Sequence, residues 1–205
     1  MSDIQREVNL SRQNSSSEYV ALLDMYKDMH KISDGMFNGR SLLKFVDIIK
    51  AYLENNNCKS ILDYGCGKGI LYSDNYKELT TEIDAPLHKY WNLDSYELFE
   101  HIAEDDLDWV VSEIFSYAKK IVFLNVACFE ALKTLKDGRN AHISVFSPDA
   151  WLQFLAAKSR EFKHLKIYLF ADTVGEDENG DRQFLTEGYR IDSYPRITSL
   201  KQEEK

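Results

Sequence analysis

Apolar residues recur at helical spacing from residue 18 to 29, where Val20, Leu22, Leu23, Met25, Tyr26 and Met29 mark one face. Ser33-Asp34-Gly35 is a turn signal, and Ser41 is placed to cap a second helix. Leu42, Leu43, Phe45, Val46, Ile48, Ile49, Tyr52 and Leu53 give that helix a broad apolar face, and Asn55-Asn56-Asn57 ends it. Residues 59–64 then switch to a strand. Farther along, residues 105–117 read as a helix with Leu107, Val110, Val111, Ile114 and Phe115 on one side. Residues 120–127 form a nearly continuous apolar run, the pattern of a strand covered on both faces. Residues 141–146 have strand composition. Pro148 precedes a short helix over 149–160, with Trp151, Phe154 and Leu155 as its buried positions. Residues 166–171 read as another strand, Asn179-Gly180 as a hairpin turn, and 184–191 as its antiparallel return. Helices alternating with strands place the chain in the α/β class.

The richest local pattern is Ile61-Leu-Asp-Tyr-Gly-Cys-Gly-Lys-Gly69. Ile61 and Leu62 end a strand, Asp63 stands at its carboxyl end, and Gly65, Gly67 and Gly69 follow at alternate positions. Glycine accepts backbone conformations that bring a chain close to a ligand. Open α/β sheets bind ligands at such strand ends, and a following helix offers free N–H groups to polar or anionic ones. The spacing departs from the dinucleotide pattern G-x-G-x-x-G. Asp-x-Gly-x-Gly-x-Gly resembles motif I of the class I S-adenosyl-L-methionine (SAM) dependent methyltransferases. Further landmarks extend the likeness: Tyr26-x-x-Met29-His30, Phe37-x-Gly39-x-Ser41-Leu42, Glu100-His101-Ile102, Asp137-Gly-Arg-Asn-Ala-His142 and Trp151. Together they are similar to a group of small methyltransferase-like proteins of bacteria and their phages, over most of residues 19–170.

That resemblance implies a Rossmann-like sheet with an antiparallel end, SAM as cofactor, and a segment before the first strand that partly lids the pocket. It assigns Asp63, Gly65, Gly67, Lys68 and Gly69 to the methionine side of SAM. The nucleoside side is less legible. Between the glycine run and Glu100-His101, residues 70–98 leave room for about one βαβ unit of ~30 residues. Strands after the first βα unit are therefore expected to be missing or vestigial. Glu82 and Asp84 are the nearest substitutes for the ribose-binding acid.

Methyl transfer asks mainly for alignment and exclusion of water, because the sulfonium is already a good leaving group. A hydroxyl or amine acceptor gains from a base, for which His101 and His142 are candidates. Each has a plain structural alternative, a side chain bonded to backbone. Arg139 and Asn140 are candidate acceptor contacts, with a polar turn as the alternative. Glu104-Asp105-Asp106 reads as a helix start rather than a cation cluster, and no metal is expected.

With 205 residues the chain suits one domain over 18–200, with a flexible arm over 1–17 and a charged tail over 201–205. Its 34 acidic against 25 basic residues, a net charge of -9, argue against a nucleic-acid partner. Cys58, Cys66 and Cys128 have no zinc-type spacing and suit reduced thiols in a cytoplasmic setting. No apolar run approaches the ~20 residues of a membrane helix. The expectation is methyl transfer to a small molecule or glycan precursor by a homo-oligomer. The alternative is a degenerate relative that serves as a binding or assembly module, or that cleaves SAM.

Overall fold

The structure is a computed structural model, and it describes residues 9–32, 44–64, 87–90, 99–192 and 196–200. In chain order it contains α1 (Ser17–Ile32), α2 (Val46–Asn55), β1 (Ile61–Tyr64), β2 (Leu87–Tyr90), α3 (Leu107–Tyr117), β3 (Ile121–Ala127), α4 (Pro148–Ser159), β4 (Lys166–Glu176), β5 (Arg182–Asp192) and β6 (Arg196–Leu200). Short 3-10 turns at Phe99–His101 and Glu104–Asp106 lead into α3. The α/β class expected from the sequence is observed.

The described strands form two sheets. β1 and β2 pair in parallel, Ile61 opposite Leu87 and Tyr64 opposite Tyr90. The larger sheet runs β3-β4-β5-β6: β3 and β4 are parallel, and β5 is antiparallel to both β4 and β6. Among the described residues, β2 lies in the interval 70–98. The hairpin joining β4 to β5 turns where Asn179-Gly180 signalled it. Gly180 has φ +82, a region that suits glycine, and the Asp177 carboxylate accepts from the amides of Asn179 and Asp181.

Alternation along the strands builds a layer on each face of the larger sheet. Val122, Leu124 and Val126 of β3, with Ile167, Leu169 and Ala171 of β4, join Val110, Val111 and Phe115 of α3 and Trp151, Leu152 and Leu155 of α4. On the opposite face Phe123, Tyr168 and Phe170 meet Phe45 and, from α2, Ile48, Ile49 and Tyr52. Tyr52 stacks on Tyr168 with ring centroids 4.0 Å apart. A sheet covered on both faces requires apolar residues at consecutive positions, which is what 120–127 supplies. Gly188 of β5 is required by close approach. A Cβ there would lie 2.9 Å from the Phe170 ring.

Basic side chains tie strand starts together. Lys120 donates to the carbonyls of Asn56 and Asn57, and Lys166 to the Asn56 side chain. The amino-terminal ends of β1, β3 and β4 are thus gathered at the turn that closes α2, where Asn57 has φ 48.

Two expectations are corrected. Residues 141–146 are not a strand: the amides of Ile143 and Ser144 both donate to the Glu100 carbonyl, at 2.6 and 2.9 Å, and so have no strand partner. Residues 9–16, expected within a flexible arm, are anchored. Arg12 pairs with Glu113 at 2.8 Å and donates to the Tyr64 hydroxyl, and Leu10 packs on the core. Ser16 caps α1 by accepting from Tyr19 N, while its own N–H and hydroxyl donate to the buried Asp106 carboxylate.

Candidate functional site

Three side chains meet just past the carboxyl end of β3. The 3-10 turn at Phe99–His101 supplies Glu100 and His101, and the irregular segment after β3 returns to supply His142. Backbone hydrogen bonds hold the two segments in register. Besides the two amides on the Glu100 carbonyl, Ser144 Oγ donates to the Ile102 carbonyl at 2.6 Å. The His101 and His142 rings stand edge to face with centroids 5.0 Å apart. One donor atom from each of Glu100, His101 and His142 lies within 4.8 Å of the other two.

The carbonyls around the rings decide their tautomers. His101 Nδ1 lies 2.5 Å from the Ala141 carbonyl oxygen and His142 Nδ1 lies 2.6 Å from that of Phe129. A carbonyl only accepts, so each Nδ1 carries the proton, and in the neutral ring Nε2 holds the lone pair. Burial holds His142 below the usual imidazole pKa, against a smaller opposing effect of the Phe129 carbonyl, so the neutral form dominates near pH 7. The Tyr26 hydroxyl also donates to the Ala141 carbonyl, at 2.7 Å, and its ring meets His101 edge to face. Burial foremost, and next the Glu100 charge, raise the Tyr26 pKa, which keeps it a donor.

Glu100 is the least expected member. It is 3% exposed, and among the described residues its Oε2 has no hydrogen-bond partner. Burial pushes its carboxyl up to about 7, while the backbone amides of Glu100 and Ala127 pull the other way. A helix roofs the group: Leu22, Met25, Tyr26 and Met29 of α1 pack with Ala103, Leu135 and Ala141.

The remaining sequence candidates separate. Asn140 lies beside the cluster but within its scaffold: its Oδ1 accepts from the amides of Ala131 and His142, and its Nδ2 donates to the Ala131 carbonyl. Arg139 is turned outward into ion pairs with Glu18 and Asp137, at 2.6 and 2.8 Å. Asp63 is half-buried in β1, opposite Lys89 in the parallel register. Gly65, Gly67, Lys68, Gly69, Glu82 and Asp84 lie outside the described residues. Among them and Glu100, sequence reasoning passed over only the carboxylate. The signal was available: an acid between Phe99 and His101-Ile102, in an otherwise apolar stretch, is drawn into the interior with its neighbours.

No family model matches the chain, and no curated protein or solved structure matches it either.

Proposed function

We propose that the chain is a SAM-binding, methyltransferase-like protein that methylates a hydroxyl or amine on a small molecule or glycan precursor. What supports the reading is that each candidate half lies at a strand's carboxyl end. β1 runs with a parallel neighbour into Asp63 and the glycine pattern, while the candidate bases His101 and His142 meet beyond β3. The shared tether of β1, β3 and β4 at Asn56 and Asn57 suits strands of one Rossmann-like, class I methyltransferase sheet with its central part shortened.

In this reading Asp63, Gly65, Gly67, Lys68 and Gly69 hold the methionine part of SAM, with Glu82 and Asp84 toward the ribose. A neutral imidazole Nε2 takes the acceptor's proton. As that proton leaves, the new oxygen– or nitrogen–methyl bond forms and the sulfur–methyl bond breaks, releasing S-adenosylhomocysteine. The protein acts in the cytoplasm as a homo-oligomer.

Calorimetric titration with SAM and with S-adenosylhomocysteine tests the cofactor assignment. Both should bind, and Asp63→Ala should weaken both at least tenfold, about 1.4 kcal/mol. Absence of binding by the wild-type chain, or equal affinity in the variant, would refute the assignment. A folded chain that binds neither would fit a binding or assembly module instead.

A further inference from the structure

The Glu100, His101 and His142 group has more in it than methyl transfer requires. Two imidazoles suffice to move a proton, and a buried carboxylate with a vacant oxygen adds nothing to that task. Such an oxygen, sealed from water and without a donor among the described residues, is an unusual feature of a folded interior. A cation placed among the three side chains would satisfy it.

We propose that Glu100, His101 and His142 bind one divalent first-row transition-metal ion of the Zn2+ type. The tautomers are the first argument. Both rings present Nε2 as the lone-pair atom because Nδ1–H is committed to a backbone carbonyl, Ala141 for one and Phe129 for the other. Imidazoles that ligate metals are characteristically oriented this way, with the second nitrogen donating to a carbonyl or carboxylate.

Donor chemistry narrows the ion. Mg2+ and Ca2+ favour sets made of oxygen, whereas two nitrogens and one carboxylate oxygen suit Zn2+ and its first-row neighbours. Distance permits closure. Ligands about 2.1 Å from one ion stand about 3–4 Å apart, and one ring nitrogen of each histidine and a carboxylate oxygen of Glu100 lie within 4.8 Å of one another. Three protein ligands also leave a coordination position open, the arrangement that catalytic rather than structural Zn2+ sites retain. With both Nε2 lone pairs on an ion neither imidazole would serve as the free base of the proposed methyl transfer, and an acceptor hydroxyl at the open position would instead be acidified by the ion itself. Scaffold residues reinforce the rings from behind: Tyr26 shares the Ala141 carbonyl, and Asn140 fixes the backbone amide of His142.

The test needs neither SAM nor a known acceptor, so its outcome is independent of the cofactor assignment. The 205-residue chain, freed of metal with a chelator, is titrated with Zn2+ by calorimetry and with Co2+ by visible absorption. One ion per chain is expected, with Co2+ bands arising on binding. Glu100→Gln and His142→Asn should each weaken Zn2+ binding at least about tenfold. His164→Asn, at an exposed histidine beside the Ala118 carbonyl, should leave it unchanged. Circular dichroism reports whether each variant folds. If the buried Glu100→Gln chain does not, the half-buried His142→Asn decides alone. No binding by the wild-type chain would overturn the site, as would equal binding by a folded His142→Asn variant.

Discussion

Two donors converge on one carbonyl behind the histidine pair, and this makes a sharp prediction about stability. The Ala141 oxygen accepts from Tyr26 OH at 2.7 Å and from His101 Nδ1 at 2.5 Å, in a buried setting. Tyr26→Phe removes one donor but leaves the carbonyl bonded to His101. Only the net value of a hydrogen bond is lost, about 0.5–1.5 kcal/mol. His101→Leu removes the other donor while Tyr26 remains. Once both are gone the carbonyl is left unpaired, and the second removal carries the larger desolvation penalty of about 1–3 kcal/mol. The double variant should therefore be less stable than the two single losses predict, by about 1 kcal/mol.

Urea unfolding of the four proteins, with chelator present throughout, measures this cycle. His101→Asn is the control, because its side-chain amide can stand where Nδ1 stands and keep the donor. In that background Tyr26→Phe should cost what it costs in the wild type. Additivity within about 0.3 kcal/mol in the leucine cycle would show that the two donors do not share the acceptor. The tautomer assignment for His101 would then lose its basis.

Asp106 is fully buried and accepts from Ser16 N, Ser16 Oγ and Trp109 Nε1, so Asp106→Ala should cost about 2–3 kcal/mol in urea unfolding and release the segment before α1 to proteolysis; a loss under about 1 kcal/mol would refute that network. Burial foremost, then the charges of Glu100, Asp172 and Glu187, push the Cys128 thiol up to about 12. At pH 8 this leaves about a thousandfold less thiolate than an ordinary cysteine, so iodoacetamide should label Cys128 only after unfolding, and rapid labelling of the native chain would contradict the assignment. Phe184 is 60% exposed and Ile197 45%, the latter on β6 at the end of its ladder. A homo-oligomer should cover such a surface, and light scattering that finds a monomer at micromolar concentration would refute it.

What the sequence made legible follows from which forces act locally. The helices around Val20–Met29, Ile48–Leu53, Val110–Phe115 and Trp151–Leu155 are written in the spacing of apolar residues, because each buries one face, the first against Ala103, Leu135 and Ala141 and the other three on the sheet. β3 and β4 are legible for a related reason, since burial on both faces leaves no polar alternation. β2, with Leu-His-Lys-Tyr, and β6, with Arg-Ile-Thr-Ser-Leu, are short and mixed, and their strand character comes from partners far along the chain. Residues 141–146 mislead in the opposite direction. Ile143, Val145 and Phe146 carry strand propensity, yet the amide of Ile143 is claimed by the Glu100 carbonyl.

That misreading and the overlooked carboxylate share a cause. Local pattern recognises His101 and His142 as titratable groups in apolar surroundings, but their meeting depends on the irregular path of residues 129–144. The path is set by bonds that no local window contains: Ile143 and Ser144 to Glu100, His142 to Phe129, Asn140 to Ala131. Had residues 141–146 continued as a strand, their amides would be committed to a sheet neighbour instead of Glu100. The loss of a regular strand is thus the condition for the site. Backbone groups released from a ladder orient the two imidazoles and bring them to the carboxylate.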